Sequence, residues 1–145
     1  MRWAPRLAVA AAVAVLTTAT AMTFEDAGRG DDVLGPGLVT VEVSIDRSRF
    51  SVEHLEVRQG TLVQFVVDNQ DPIDHELVVG GEDVHARHST GTERRHPPVP
   101  GEVSVPPDAR GATFYRFDDA GTVVFACHLP GHAAYGMVGE VEVVA

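Results

Sequence analysis

The seven residues Val39-Thr-Val-Glu-Val-Ser-Ile45 alternate apolar and polar side chains. A period of two is what a strand needs when one of its faces lies in a core and the other in water. Other short runs follow at His54–Arg58, Thr61–Asp68, Glu76–Val79, Glu102–Val105, Thr113–Phe117, Thr122–Ala126 and Met137–Val144. Most are rich in valine, which packs well on a pleated surface. Residues that stop or turn a strand stand between them: Gly60, Asn69–Asp71, Gly80-Gly81, Pro106-Pro107 and Asp118–Gly121. About eight short strands at such spacing, with no long helical pattern, predict an all-β Greek-key sandwich. The polar segment from Glu82 to Gly101 has room for one helical turn, and no internal repeat is present.

The sandwich pattern begins only at Leu38. Ahead of it, Arg2 and Arg6 precede an apolar run from Leu7 to Leu16, and Ala19-Thr20-Ala21 follows as a small-x-small site. This is the layout of a secretory signal over residues 1–21, with an uncleaved N-terminal anchor as the alternative. Residues 22–37 mix glycine with Glu25, Asp26, Asp31 and Asp32, and their lack of apolar periodicity reads as a disordered acidic tether. Residues 38–145 are the folded domain. The chain is therefore expected to work outside the cytoplasm: in a periplasm, on a cell surface or secreted. Its formal charge of −10 becomes −12 once Arg2 and Arg6 are removed, and all eleven of its basic residues are arginines. Such acidity argues against nucleic acid and anionic membrane as partners and favours a protein with a basic face.

An exporting compartment makes the single cysteine, Cys127, a question. An inert buried thiol, a nucleophile and a metal ligand are the three readings. The neighbouring sequence, Cys127-His-Leu-Pro-Gly-His132-Ala-Ala-Tyr-Gly-Met137, places a thiol, an imidazole and a thioether on one loop that Gly131 and Gly136 allow to turn tightly. One further histidine would complete a His₂Cys set with a weak axial methionine, a donor set suited to electron-transfer copper. His75 is the best candidate: it follows the turn Asn69–Asp74 and enters a strand, so it can sit at the sandwich end where the cysteine loop leaves.

The whole folded part resembles the cupredoxin family of plastocyanin- and azurin-like blue copper proteins. Phe50-x-Val52-x-x-Leu55-x-Val57-x-x-Gly60-x-x-Val63-x-Phe65-x-x-x-Asn69-x-Asp71-x-x-x-His75 looks like the family's N-terminal half. Cys127-x4-His132-x4-Met137 looks like its copper loop, with a spacing similar to that of rusticyanin. Val52 departs from the proline common at its position, which touches a strand edge only. The resemblance implies a cupredoxin-like sandwich in which His75, Cys127, His132 and Met137 bind one copper ion that alternates between Cu(I) and Cu(II). It implies an electron carrier and not an enzyme: a monomer that exchanges single electrons with a redox partner such as a c-type cytochrome or an oxidase domain. Asn69 is expected to brace the two ligand loops, and backbone N–H groups of the copper loop to point at the Cys127 sulfur.

Five other histidines leave alternatives open. His128, next to Cys127, is expected to face outward or to support the site. The Cys127-His128 pair also motivates a further reading, an electron-entry domain of a copper oxidase or nitrite reductase assembly, although the relay to a second copper needs further histidine pairs and the chain has no His-x-His motif. His54 reads as a strand-face residue. His85 and His88, three apart, would share a face of one helical turn and could bind a second metal with His96, or the segment could be a solvated polar loop. That segment motivates a second reading of the whole chain, as an extracytoplasmic copper-handling protein.

Overall fold

The computed structural model describes residues 33–91 and 95–145. The expected signal at 1–21 and most of the tether lie outside them. Nine strands and one helix follow in order: β1 Leu38–Asp46, β2 Arg49–Phe50, β3 His54–Arg58, β4 Thr61–Asn69, β5 His75–Gly80, α1 Glu82–Ser89, β6 Glu102–Val105, β7 Arg110–Phe117, β8 Gly121–Ala126 and β9 Val138–Val144. They form two sheets, ordered β2-β1-β4-β7 and β3-β9-β8-β5-β6. The all-β sandwich is thus as expected, and the strand order mixes parallel pairs, β1 with β4 and β3 with β9, among antiparallel ones.

The core lies between the sheets. Val41, Val43, Ile45, Val63, Phe65, Val67 and Phe117 from the first sheet meet Val57, Leu77, Val79, Val103, Val105, Phe125, Val141 and Val143 from the second. The period of two carries through each strand. β5 is buried on both faces: His75, Leu77 and Val79 belong to the odd set that includes the core residues, while Glu76 and Val78 face the other way. The Gly80 end of that outer face lies under Val84 of α1.

Three differences from the sequence reading have physical causes. The helix occupies eight residues, about two turns and not one, with Glu82 and Asp83 in its first turn and Arg87 and His88 in its last; those charges complement the helix dipole. β2 is only two residues long, too short for a periodic pattern, and closes a hairpin whose register is Ile45 with Phe50 and Asp46 with Arg49. The tether boundary also moves: Val33–Gly37 is docked on the domain. The Leu34 N–H donates to the Glu56 carbonyl at 2.9 Å, the Arg58 N–H to the Leu34 carbonyl at 2.8 Å, and the Leu34 side chain packs on the core. Backbone pairing to a strand edge leaves little trace in side-chain pattern, which is why this stretch read as linker.

Candidate metal centre

β5 and β8 are antiparallel neighbours, with Val78 opposite Ala126. The first residue of β5 and the residue after β8 therefore come to the same end of the sandwich. These are His75 and Cys127, both with no exposed surface. The loop that follows folds back through Gly131 and Gly136, at φ 89° and 94°, a backbone conformation that glycine adopts without strain. Its base is closed by the Cys127 N–H donating to the Met137 carbonyl at 3.1 Å and the Met137 N–H to the His132 carbonyl at 3.0 Å. Donor atoms of His75, Cys127 and His132 all lie within 4.8 Å of one another. The Cys127 sulfur is 3.3 Å from His132 Nδ1, and the two imidazole rings are 4.8 Å apart. Met137 is fully buried in the same core cluster as Cys127. The structure therefore brings three of the four expected ligands into one cluster and ties the fourth to it through the backbone.

The orientation of His75 comes from Asp71, whose Oδ2 is 2.8 Å from His75 Nε2. A carboxylate accepts, so Nε2 carries the proton and Nδ1 keeps its lone pair. That Nδ1 is buried and has no hydrogen-bond partner among the described residues. A buried, aimed lone pair beside a thiol and a second imidazole fits a soft-to-borderline metal ion. Asp71 also accepts from the N–H groups of Arg47 and Ser48, each at 2.7 Å. Burial alone would raise the Asp71 carboxyl, but the Ser48 and Arg47 N–H groups and His75 hold it below its usual range.

Burial pushes the Cys127 thiol up to about 11, against the pull of the Glu76 and Leu129 N–H groups that hydrogen-bond its sulfur. One of those donors belongs to the copper loop, as expected; the other comes from β5. Burial, then neighbouring His75, lowers His132, which keeps that ring neutral and able to coordinate. In the metal-free protein the thiol should accordingly resist alkylation. Iodoacetamide at pH 7.5 is expected to leave Cys127 unmodified by mass spectrometry over hours in native buffer and to modify it fully in guanidinium. Rapid native labelling would mean that the loop opens.

The remaining sequence expectations are redistributed. Asn69 braces its own turn and the β6–β7 connection, not the copper loop: its Nδ2 donates to the carbonyls of Ile73 at 2.8 Å, Val105 at 3.0 Å and Pro106 at 2.9 Å. His54 sits on the strand face as expected, 3.3 Å from Glu140 Oε1. His128 points away from the Cys127 cluster and meets His85, Nε2 to Nδ1 at 2.8 Å. His88 and His96 come together with Glu76 instead of with His85. Asp71, which orients His75, and Glu76, which meets the His128 N–H and the His88 and His96 rings, are the residues around the site that spacing missed. The cue for Asp71 was its place four residues before His75 in a turn; for Glu76 it was a charged residue heading an otherwise apolar strand.

The plastocyanin/azurin family of copper-binding proteins matches residues 38–144. A copper-resistant cuproprotein of Rubrivivax gelatinosus, CopI, is 37% identical over 117 residues, covering 79% of this chain and 70% of that protein. The Vibrio cholerae protein of the same name is 32% identical over 108 residues, 72% of this chain and 64% of that one. Among solved structures, auracyanin B superposes with a TM-score of 0.60 at 26% identity, over 80% of this chain and 96% of its own.

Proposed function

Because this chain belongs to the plastocyanin/azurin family of copper-binding proteins, we propose that it is an extracytoplasmic type 1 copper protein that passes single electrons in the service of copper tolerance. His75, Cys127, His132 and Met137 hold the ion. Bound there, copper would supply a one-electron Cu(I)/Cu(II) couple, with sulfur favouring the lower state and imidazole accepting the higher. The observation that supports this most is a donor set already assembled inside a rigid sandwich, so that little has to rearrange when charge changes. His132 is the half-buried member of the set and lines a shallow groove with Asp74 and the apolar Pro72, Ile73, Pro107, Leu129 and Pro130. An apolar rim around one ligand suits brief docking of a redox partner, and the acidic remainder would steer a partner with a basic face.

The electron-carrying reading is tested by mixing the reduced copper protein with an oxidised basic c-type cytochrome in a stopped-flow instrument. One electron per copper is expected to transfer, at a rate that falls as salt screens the acidic surface. A coloured protein that holds copper firmly yet exchanges no electrons would favour the second reading, copper handling without transfer. The names of the two CopI relatives, copper-resistant cuproproteins, favour that reading at least as well.

A further inference from the structure

The sheet that carries His75 and Cys127 inward carries their neighbours outward. Glu76 follows His75 and His128 follows Cys127, and the Glu76 carboxylate accepts the His128 N–H at 2.9 Å. Two imidazoles converge on Glu76 from the other side. His88 reaches it from the last turn of α1, with Nδ1 3.7 Å from Oε1. His96 reaches it from the segment leading to β6, with Nε2 3.7 Å from Oε2. That segment is held by the His96 N–H donating to the Ser104 hydroxyl at 3.1 Å. The three side chains are 3%, 13% and 15% exposed, so the cluster is shielded from water.

The hydrogen bonds around the rings select their tautomers. His96 Nδ1 lies 3.0 Å from the Pro97 carbonyl, which can only accept. Its proton is therefore on Nδ1, and the lone pair is on Nε2, facing Glu76. His88 Nε2 lies 3.0 Å from Glu102 Oε2, which places its lone pair on Nδ1, also facing Glu76. His96 Nε2 and His75 Nδ1 are the two buried side-chain nitrogens without a hydrogen-bond partner among the described residues. One belongs to each histidine cluster. Two imidazole lone pairs and a buried carboxylate then face one another at distances too long for hydrogen bonds. A carboxylate this buried demands a positive partner, and among the described residues its one close donor is an amide.

We propose that Glu76, His88 and His96 form a second metal site, back to back with the first across the sheet, for a divalent transition-metal ion bound by nitrogen and oxygen, copper(II) ahead of zinc(II). Ligand atoms bonded at about 2.0–2.2 Å to one tetrahedral ion stand about 3.3 Å apart. The two nitrogens lie 3.7 Å from different oxygens of the carboxylate, and one ligand atom from each residue lies within 4.8 Å of the others, so the three side chains would close on the ion as it binds. Imidazole with carboxylate suits copper(II) and zinc(II), with copper(II) favoured in the affinity order, whereas magnesium and calcium prefer oxygen alone. Glu102 and the Pro97 carbonyl would orient the two rings, as partners of metal-bound histidines commonly do.

The test counts metal on the full chain after gel filtration. With excess Cu²⁺ the parent should retain two equivalents; with the first site filled by copper, Zn²⁺ should supply the second. Cys127→Ser should keep one equivalent of Cu²⁺, showing nitrogen coupling by electron paramagnetic resonance and no thiolate band, which separates this site from any failure of the first. The double variant His88→Ala/His96→Ala should lose the second equivalent while its visible band shows that the fold and first site survive; His54→Ala should lose nothing. Should the double variant not fold, Glu102→Gln, which removes the charged acceptor that orients His88 together with its exposed pairing to Arg87, should weaken the second ion about 10–100-fold. A parent that retains one equivalent with either metal, a double variant that retains two, or an unchanged affinity in Glu102→Gln overturns the site.

Discussion

Replacing Cys127 by serine is expected to remove the visible absorption of the copper-loaded protein completely while leaving the sandwich folded. The intense band of a type 1 site comes from charge transfer between a thiolate and Cu(II), and a hydroxyl offers neither the soft sulfur nor an accessible anion. The fold should tolerate the exchange. Serine is of similar size, and its buried hydroxyl inherits hydrogen-bonding neighbours: His132 Nδ1, now 3.3 Å from the sulfur, and the Glu76 and Leu129 N–H groups. A stability change within about 1–2 kcal/mol is expected, read by thermal melting of the metal-free forms. Met137→Leu supplies the contrast. It is nearly volume-conserving in a buried position, so the band should persist and the reduction potential should rise as the weak axial sulfur is lost. Full colour in Cys127→Ser would refute the ligand set; loss of all copper in Met137→Leu would refute the axial role.

The largest effect on stability should come from Asp71→Ala. Its side chain is 8% exposed, and its carboxylate serves the Arg47 N–H, the Ser48 N–H and His75 Nε2 together. Arg47 and Ser48 are the two central residues of the β1–β2 hairpin, at φ 51° and 53°. That conformation is favourable for glycine or asparagine and costly for arginine and serine. Asp71 offsets the cost by accepting both turn amides. Alanine would leave three donors without their acceptor, at about 1–3 kcal/mol for each that stays buried. With the part-exposed turn rehydrating, a loss of about 3–5 kcal/mol is expected in urea unfolding of the metal-free protein, a large share of a typical domain's stability. Freed from its acceptor, His75 should also bind copper about 10–100-fold more weakly by chelator competition. Asp71→Asn, which keeps one acceptor oxygen but turns an amide donor toward the others, should fall between. An Asp71→Ala protein as stable as the parent would mean that the hairpin and His75 are held by something else.

The sandwich, most strand positions and the three loop residues proposed as ligands were legible in the linear chain because each depends on local order. Alternation reports a half-buried strand wherever it occurs. Cys127, His132 and Met137 are separated by short glycine-bearing loops, so spacing alone constrains how they meet. His75 was reachable by a longer argument, from a turn that enters a strand. Asp71 was not, since nothing local says that a turn aspartate serves a hairpin more than twenty residues earlier as well as a histidine four residues later. Val33–Gly37 was missed for a related reason: its contacts are backbone to backbone, and side chains do not record them.

The second cluster marks the same boundary most clearly. Residue order alone puts Glu76 on the strand face opposite His75, because successive side chains of an extended chain point to opposite faces, and leaves His128 either facing outward or supporting the site. What occupies that opposite face was decided only when α1 folded over β5 and the chain returned through His96 into β6, pairing His75 with Val105 and Glu76 with Ser104. Three residues from three separate segments converge there because sheet pairing, helix packing and a carbonyl at Pro97 each fix one of them. Such convergence depends on long-range contacts, whose partners no short window of sequence contains.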